Sequence, residues 1–474
     1  MSSTRARRRR VCNCFALGLL STLPIALAGC ASPDDRLARA LAIRHSVDPD
    51  YRSAATVLES LQNDPRCKAE YVLYGMCGTV VNVCGGDYRD AERVGKDTYI
   101  AVKKYQDASA ETRAAWGRES IKFFKGEPHE RSMLAWYLGL AAYLRGEYND
   151  ARIFFTQSLL AAATRDEDCA QFRDDFQLGH YWLGRTYQHL GQLDNARVAF
   201  EKAGCVLAHR GQDRELARLK KQRAGEYRRE LKLEAACYRT ATKGKQPVAG
   251  AIDLSAERAR SDLPELLPDA AEGSPVLASA QDLSSFLDPE FQQEANLIIV
   301  IELGTGPLKY LAGSQNERDE VAPGMYKERF VDVYIDGHRV GPALPLCDMY
   351  HQACTRGVQT RRGRQTAKMI AKEVLRRVPL AGTVFGYWDV SGDARFVPVL
   401  PGEVHVLAAR VKPGLHTVAL RCSDINGQYL PRFDADYHFL PVAEDEETVL
   451  VLQTRENYDN AYLLAQTEAQ AATN

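Results

Sequence analysis

The densest group of chemically able side chains in this 474-residue sequence is CDMYHQAC, which sets Cys347, His351 and Cys354 close together, with His338 upstream. Thiolates and imidazoles could ligate zinc, but the cluster lacks the paired CxxC spacing of a structural site. A thiol nucleophile with His351 as its base is no better supported, because a four-residue spacing on a helix is also a surface coincidence. A disulfide between Cys347 and Cys354, or plain packing, needs fewer assumptions. GxSxG, HExxH, P-loop and dinucleotide fingerprints are absent, and the ten histidines are scattered. Gly304, Gly306 and Pro307 read as turn chemistry rather than a phosphate cradle, since no lysine-serine pair opens a helix after them. The sequence nominates no catalytic residue, no metal and no cofactor, so the expectation is a protein that is not an enzyme; a cysteine-dependent hydrolase is the weakest of the functional readings.

Another cysteine asks for different chemistry. Arg5 and Arg7 to Arg10 precede an apolar run from Val11 to Ala28, interrupted by Asn13, Gly18, Ser21, Thr22 and Pro24. The layout is that of a signal peptide, too short and broken for a spanning helix. Its ending, Leu27-Ala28-Gly29-Cys30, resembles the bacterial lipobox, in which the chain is cut before the cysteine and the cysteine is acylated. Residues 1–29 are then the signal, and Cys30 the lipidation site. The alternatives are an ordinary secretory cut near Ala28 or an uncleaved anchor. Ala31 and Ser32 lack the aspartate that holds many such proteins at the inner membrane, so the resemblance implies an outer-membrane location facing the periplasm. Each buried methylene contributes about 0.8 kcal/mol, so several acyl chains would hold a folded body on a bilayer.

Cleavage there leaves 445 residues, enough for two or three domains, and moves the formal charge from −1 to −6 because five arginines and no acid depart. Such a body presents no global field for nucleic acid. Cys12 and Cys14 leave with the signal and Cys30 is spent on lipid, so nine of the twelve cysteines remain, an odd number. Some are expected to pair in an oxidising envelope, with Cys67, Cys77 and Cys84 as local candidates.

The elements that would position any site begin with an internal repeat. YLGLAAYLRGEYNDARIFFTQSL from Tyr137 aligns without a gap on WLGRTYQHLGQLDNARVAFEKAG from Trp182, matching Gly139 with Gly184, Gly146 with Gly191, Ala151 with Ala196 and Phe155 with Phe200. The pattern resembles the tetratricopeptide repeat, two antiparallel helices joined by a glycine-bearing turn. Gly139 and Gly184 would let the helices approach, Gly146 and Gly191 would make the turn, and the phenylalanines would fill the seam between neighbours. The offset of 45 residues exceeds the usual period of about 34, leaving an insertion that holds TRDEDCAQFRDD. Weaker copies lie at GGDYRDAERV from Gly85 and DYRSAATVLESL from Asp50, and the charged segment from Arg214 reads as a capping helix. Residues 30–239 thus form an all-α, tetratricopeptide-like solenoid.

Residues 240–289, rich in proline, small residues and acids, read as a linker. From 290 to 456 the texture is β. NLIIVIEL is a continuous apolar run, RFVDVYIDG alternates into an Asp336-Gly337 turn, KPGLHTVALRC follows a Pro-Gly turn, and ETVLVLQT closes the set. The expected fold is therefore α+β, with a sandwich-like C-terminal domain, one helix within it from Gln365 and a tail at 457–474. The basic face of that helix, Lys368, Lys372, Arg376 and Arg377, is either a solvated outer face or a contact for anionic headgroups or an acidic partner.

KGEPHERSMLAWYLGLAAYL from Lys125, NLIIVIELGTGPLK from Asn296 and GDARFVPVLPGE from Gly392 resemble segments of a family of poorly characterised bacterial outer-membrane lipoproteins. Those proteins join tetratricopeptide-like helices to a C-terminal β-rich domain. The resemblance implies a place beside accessory lipoproteins of peptidoglycan synthesis and supplies no catalytic residues.

The resulting expectation is a membrane-anchored interaction scaffold, gripping an envelope protein through groove side chains Tyr137, Arg145, Tyr187 and His189, with Glu127 and Arg131 as further candidates. Pro128 and the acids Glu127 and Glu130 also suit a helix start. Binding of peptidoglycan or polysaccharide, with Tyr387 and Trp388 as the motivating aromatics, is the alternative. Asp393 and Arg395 are read as an anchor for the adjoining turn.

Overall fold

The computed structural model describes residues 36–37, 40, 50–106, 123–162, 176–211, 276–279, 286–312, 318–324, 326–354, 393–443, 446–454 and 462–466. The signal, Cys30, the insertion at 164–175, the segment from Arg214, the helix expected from Gln365, and Tyr387 and Trp388 lie outside these residues. The described chain has an α+β layout, with helices first and sheets after them.

Helices α1 (Tyr51–Gln62), α2 (Tyr71–Cys84), α3 (Tyr88–Gln106), α4 (Pro128–Leu144), α5 (Tyr148–Ala162), α6 (Gln177–His189) and α7 (Leu193–Gly211) pack in succession. The aligned segments form the same hairpin twice. Gly146 and Gly191 both adopt positive φ, +75° and +68°, in the turns, where glycine carries no steric cost. A β-carbon on Gly139 would meet Phe155 at 2.5 Å, and one on Gly184 would meet Phe200 at 2.5 Å. Phe155 in turn stacks 5.9 Å from Trp182 of the next hairpin.

The first helix of each pair is not amphipathic. Within α4 every residue but Arg131 is buried, and α2 and α6 are buried over most of their length. A helix that is apolar on all sides must be covered on all sides. The second helices cover one side; the sheets account for the other.

The main sheet runs in the order β1 (Val276–Ser279), β8 (Glu403–Val411), β2 (Leu297–Leu303), β11 (Thr448–Gln453), β12 (Tyr462–Gln466), with β7 (Leu344–Asp348) sharing the β8 edge with β1. The β2–β11 pair is parallel. A second sheet has the order β10 (Ala435–Val442), β9 (Gly414–Ser423), β5 (Phe330–Ile335), β6 (His338–Pro342), and β3 (Leu308–Ala312) pairs with β4 (Arg318–Ala322). Asp336 and Gly337, with φ of 48° and 81°, make the turn read from the sequence.

The continuous apolar run of β2 has a two-sided cause. Leu297, Ile299, Ile301 and Leu303 face the second sheet, against Val331, Val333, Ile335, Val418 and Leu420. Ile298 and Val300 face the opposite way and share one core with Trp136, Leu140, Tyr181 and Trp182 of α4 and α6. The molecule is thus layered helix, helix, sheet, sheet, and the expected sandwich is present with its outer face already covered.

Two expected boundaries shift. Phe286, Leu287 and β1 lie within the segment read as linker, the short helix α8 (Pro289–Glu294) begins at its last residue, and β12 lies within the segment read as tail. Both earn their place by adding to the main sheet or to the helix–sheet core, which local composition does not reveal. Gly139→Ala and Gly184→Ala are each expected to lower unfolding free energy by about 1–3 kcal/mol through overpacking against the facing phenylalanine, measured as a shift of the urea midpoint at unchanged slope.

Candidate functional site

The residues expected to grip a partner are gathered instead along the seam between the first helices and the main sheet. The segments from Lys125, Asn296 and Asp393 meet there, although they lie far apart in the chain. Gly126 takes φ +71°, and Pro128 opens α4. Glu130, a turn later, accepts a hydrogen bond from Glu127 N at 2.6 Å and another from Val397 N at 2.7 Å. One carboxylate thus caps a helix and holds the loop of the third segment. Lys309 Nζ, from the second segment, reaches Glu127 Oε1 at 3.0 Å, and Tyr137 donates to Glu302 Oε1 at 2.5 Å.

Further along, Glu447 precedes β11 and collects the polar groups of two helices. Arg185 pairs with its Oε2, His189 Nε2 lies 3.2 Å from the same oxygen, and Tyr143 donates to Oε1 at 2.7 Å. Arg185 also donates to the carbonyls of Gln292 and Ala295, and Tyr181 donates to Gln292 Oε1 at 3.1 Å. His189 stacks on Tyr148 with ring centres 4.2 Å apart. At the first end of the seam Arg395 grips Asp393 through two nitrogens at 2.9 Å, anchoring its turn as read from the sequence, and reaches Glu70 at 3.4 Å.

In the structure these side chains already have partners within the chain. Tyr137 is 1 % exposed and bound to Glu302; Glu127 is paired with Lys309; His189 is engaged by Glu447; Tyr187 is packed against the shared core. Arg131 donates to Gly126 O at 2.7 Å, within its own helix start. Arg145 sits on the far side of α4, paired with Glu92 at 2.6 Å and with Glu147, where it lines a surface hollow of about 510 Å³ with Tyr148, Asp150 and Leu190. The groove is closed because the chain's own sheet offers the apolar strand and the opposite charges that a partner would otherwise supply. Of the residues that close it, Arg185, Glu302 and Lys309 had one readable signal, single charges embedded in largely apolar runs, which burial tolerates only when they are paired; Glu130 and Glu447 stand among other charges in the sequence and carried no such signal.

Burial pushes Glu130 up to about 7, against the opposing pull of Lys309 and two backbone amides. Burial would raise Glu447 as well, but Arg185 and His189 outweigh it and hold the carboxyl down at about 2. A third buried group, inside the sandwich, sets Glu403 2.7 Å from Arg329 and 2.9 Å from His405. Tyr326 donates to the same carboxylate at 3.0 Å. Tyr326 is clasped by Gly304 and Gly402, where a β-carbon would lie 2.2 Å from its Cβ and 2.3 Å from its ring respectively; Gly304 thus makes room for the tyrosine as well as turning the chain.

The expected disulfide is also corrected. Cys347 and Cys354 are not bonded to each other; Cys347 is buried on the helix side of β7 with its sulfur 3.6 Å from Met349 Sδ. Cys67, Cys77 and Cys84 are likewise not bonded to one another. Among the described residues, Glu92, Glu147 and Asp150 are the acids close enough to share a cation, their ligand atoms lying within 4.8 Å of one another. Arg145 and Lys96 already sit among them as counter-charges. Among the described residues no helix is long and apolar enough to cross a membrane.

No protein-family model matches this chain, and no curated protein matches it.

Removing Glu447 leaves the buried Arg185 uncompensated, so Glu447→Ala is expected to cost about 3–5 kcal/mol of unfolding free energy, read by urea denaturation. Glu130 acts with the opposite pH sign. Its folded pKa lies above its unfolded value, so its contribution is fully present below about pH 4.5 and is lost as pH rises through about 7. Glu130→Gln is expected to flatten the fall in melting temperature between those pH values, whatever its offset at any single pH.

Proposed function

We propose that this protein is a lipid-anchored bacterial envelope protein, tethered through Cys30 at the periplasmic face of the outer membrane. In this reading it acts by protein contact, as a scaffold or accessory factor, and not by catalysis. Its helices are read as tetratricopeptide-like hairpins turned to an unusual use, in which the groove serves cohesion and the outer faces serve contact. The observation that carries the reading is the closed seam. Tyr137, Glu127 and His189 are satisfied by Glu302, Lys309 and Glu447 of the same chain, while large apolar side chains remain outward on the second helices. Ile153 of α5 is 49 % exposed and Leu160 61 %. A surface that keeps such side chains in water is a candidate for contact, whereas a groove already filled is not.

Two arms test the proposal. Cys30→Ala is expected to move the protein from the membrane fraction to the soluble periplasmic fraction; unchanged membrane retention would contradict the tether. A photoreactive residue at 153 or 160 is expected to yield discrete adducts with envelope proteins in living cells, and one at 137 none. Intermolecular adducts from 137 alone would return the binding site to the groove.

A further inference from the structure

Where the tether enters the folded body can be traced. Arg36, six residues after Cys30, hydrogen-bonds Ser60 and lies 3.7 Å from Asp64, at the end of α1. Extended chain covers at most about 3.6 Å per residue, so the acylated cysteine reaches no further than roughly 20 Å from that corner. If Cys30 is in the bilayer, this corner of the molecule is beside it.

The corner has a distinct chemistry. Asp64 starts the 3-10 turn Pro65–Glu70 by accepting from Arg66 N at 2.9 Å. The turn exposes Arg66 and Lys68. Phe124 N donates to Ala69 O at 2.8 Å, which sets Phe123 against that turn. Phe123 is 41 % exposed and stacks on Tyr105 with ring centres 4.5 Å apart, so the end of α3 joins the same surface. That end brings exposed Lys103 and Lys104, and one turn earlier Ile100, 64 % exposed. Residues three and four apart share a helix face, so Ile100 sits beside both lysines. Among the described residues the acids here are Asp64, engaged by Arg36 and Arg66, Glu70 and Asp393, both engaged by Arg395, and exposed Asp97. Among the described residues Arg36, Arg66, Lys68, Lys103, Lys104 and Arg395 outnumber these acids, in a chain whose overall formal charge is negative.

Exposed basic side chains interleaved with exposed apolar ones suit the boundary between headgroups and acyl chains. We propose that this corner is the membrane-facing surface of the protein: Arg66, Lys68, Lys103 and Lys104 meet anionic phospholipid headgroups, and Ile100 and Phe123 enter the interface below them. The inference rests on the reading of Cys30 as acylated, which supplies the bilayer at this distance. The second contact fixes the orientation that a tether alone leaves free, and turns the opposite end of the helical array toward the periplasm.

The test removes the acyl group so that the surface is judged by itself. The mature chain carrying Cys30→Ser is sedimented with vesicles of phosphatidylethanolamine and phosphatidylglycerol, and with vesicles of phosphatidylcholine alone. Preference for the anionic vesicles, weakened by added salt, is expected. At about 1 kcal/mol per basic residue, the triple variant K68E/K103E/K104E is expected to lose roughly a hundredfold in binding or more. F123S is expected to weaken the binding that persists at high salt. Equal partition onto both kinds of vesicle, or a triple variant that binds as well as the parent, would overturn the proposal. All three lysines are exposed, and an unchanged melting curve verifies that the variant folds. The mass of the amino-terminal peptide of the native protein tests the tether separately, since an unmodified Cys30 would remove the tether without touching the vesicle result.

Discussion

Strand β2 is buried on both faces, and the rest of the molecule is arranged around that constraint. A strand of seven residues with no exposed side chain requires a layer above and a layer below. One layer is the second sheet of the sandwich. The other is the inner face of the helical array, which by the same token finds the apolar cover that its first helices require. Two half-finished surfaces complete each other, so neither half is self-sufficient.

Polar groups then specify how the halves are registered. Apolar contact is non-directional, and a helix array could slide on a sheet without large loss. Glu302, Lys309, Val397 N–H and Glu447 on the sheet side each require a partner of fixed position, and Tyr137, Glu127, Glu130 and Arg185 supply it. Buried ion pairs of this kind contribute less to stability than to uniqueness of arrangement, because desolvation offsets much of their attraction while a missing partner is costly. The opposed pKa displacements of Glu130 and Glu447 follow from the same balance: two arginine and histidine partners overcome burial at Glu447, and one lysine does not at Glu130.

Local pattern carried much of the fold. The hairpins were readable because Gly139 and Gly184, and Phe155 and Phe200, make their contacts within one repeat. Strands β2, β5, β9 and β11 and the Asp336-Gly337 turn were readable because alternation and turn chemistry are short-range. The seam was not, since it joins residues separated by more than a hundred positions and depends on which surfaces find each other. The parallel β2–β11 pair, the strand β1 inside the supposed linker and the strand β12 inside the supposed tail are illegible for the same reason. Groove residues were assigned to a partner because a helical array considered alone always leaves an open face; the unbroken apolar run of β2 and the all-round apolarity of α4 were the two clues that the face is taken.

Amide hydrogen exchange across a denaturant series measures most directly whether helices and sheet form one body. Amides of α4, α6 and β2 are expected to open together, with a common free energy that approaches global unfolding and falls with the same dependence on denaturant. Exchange of α4 and α6 at a distinctly lower free energy, while β2 stays protected, would show that the array stands apart from the sheet and would contradict the account.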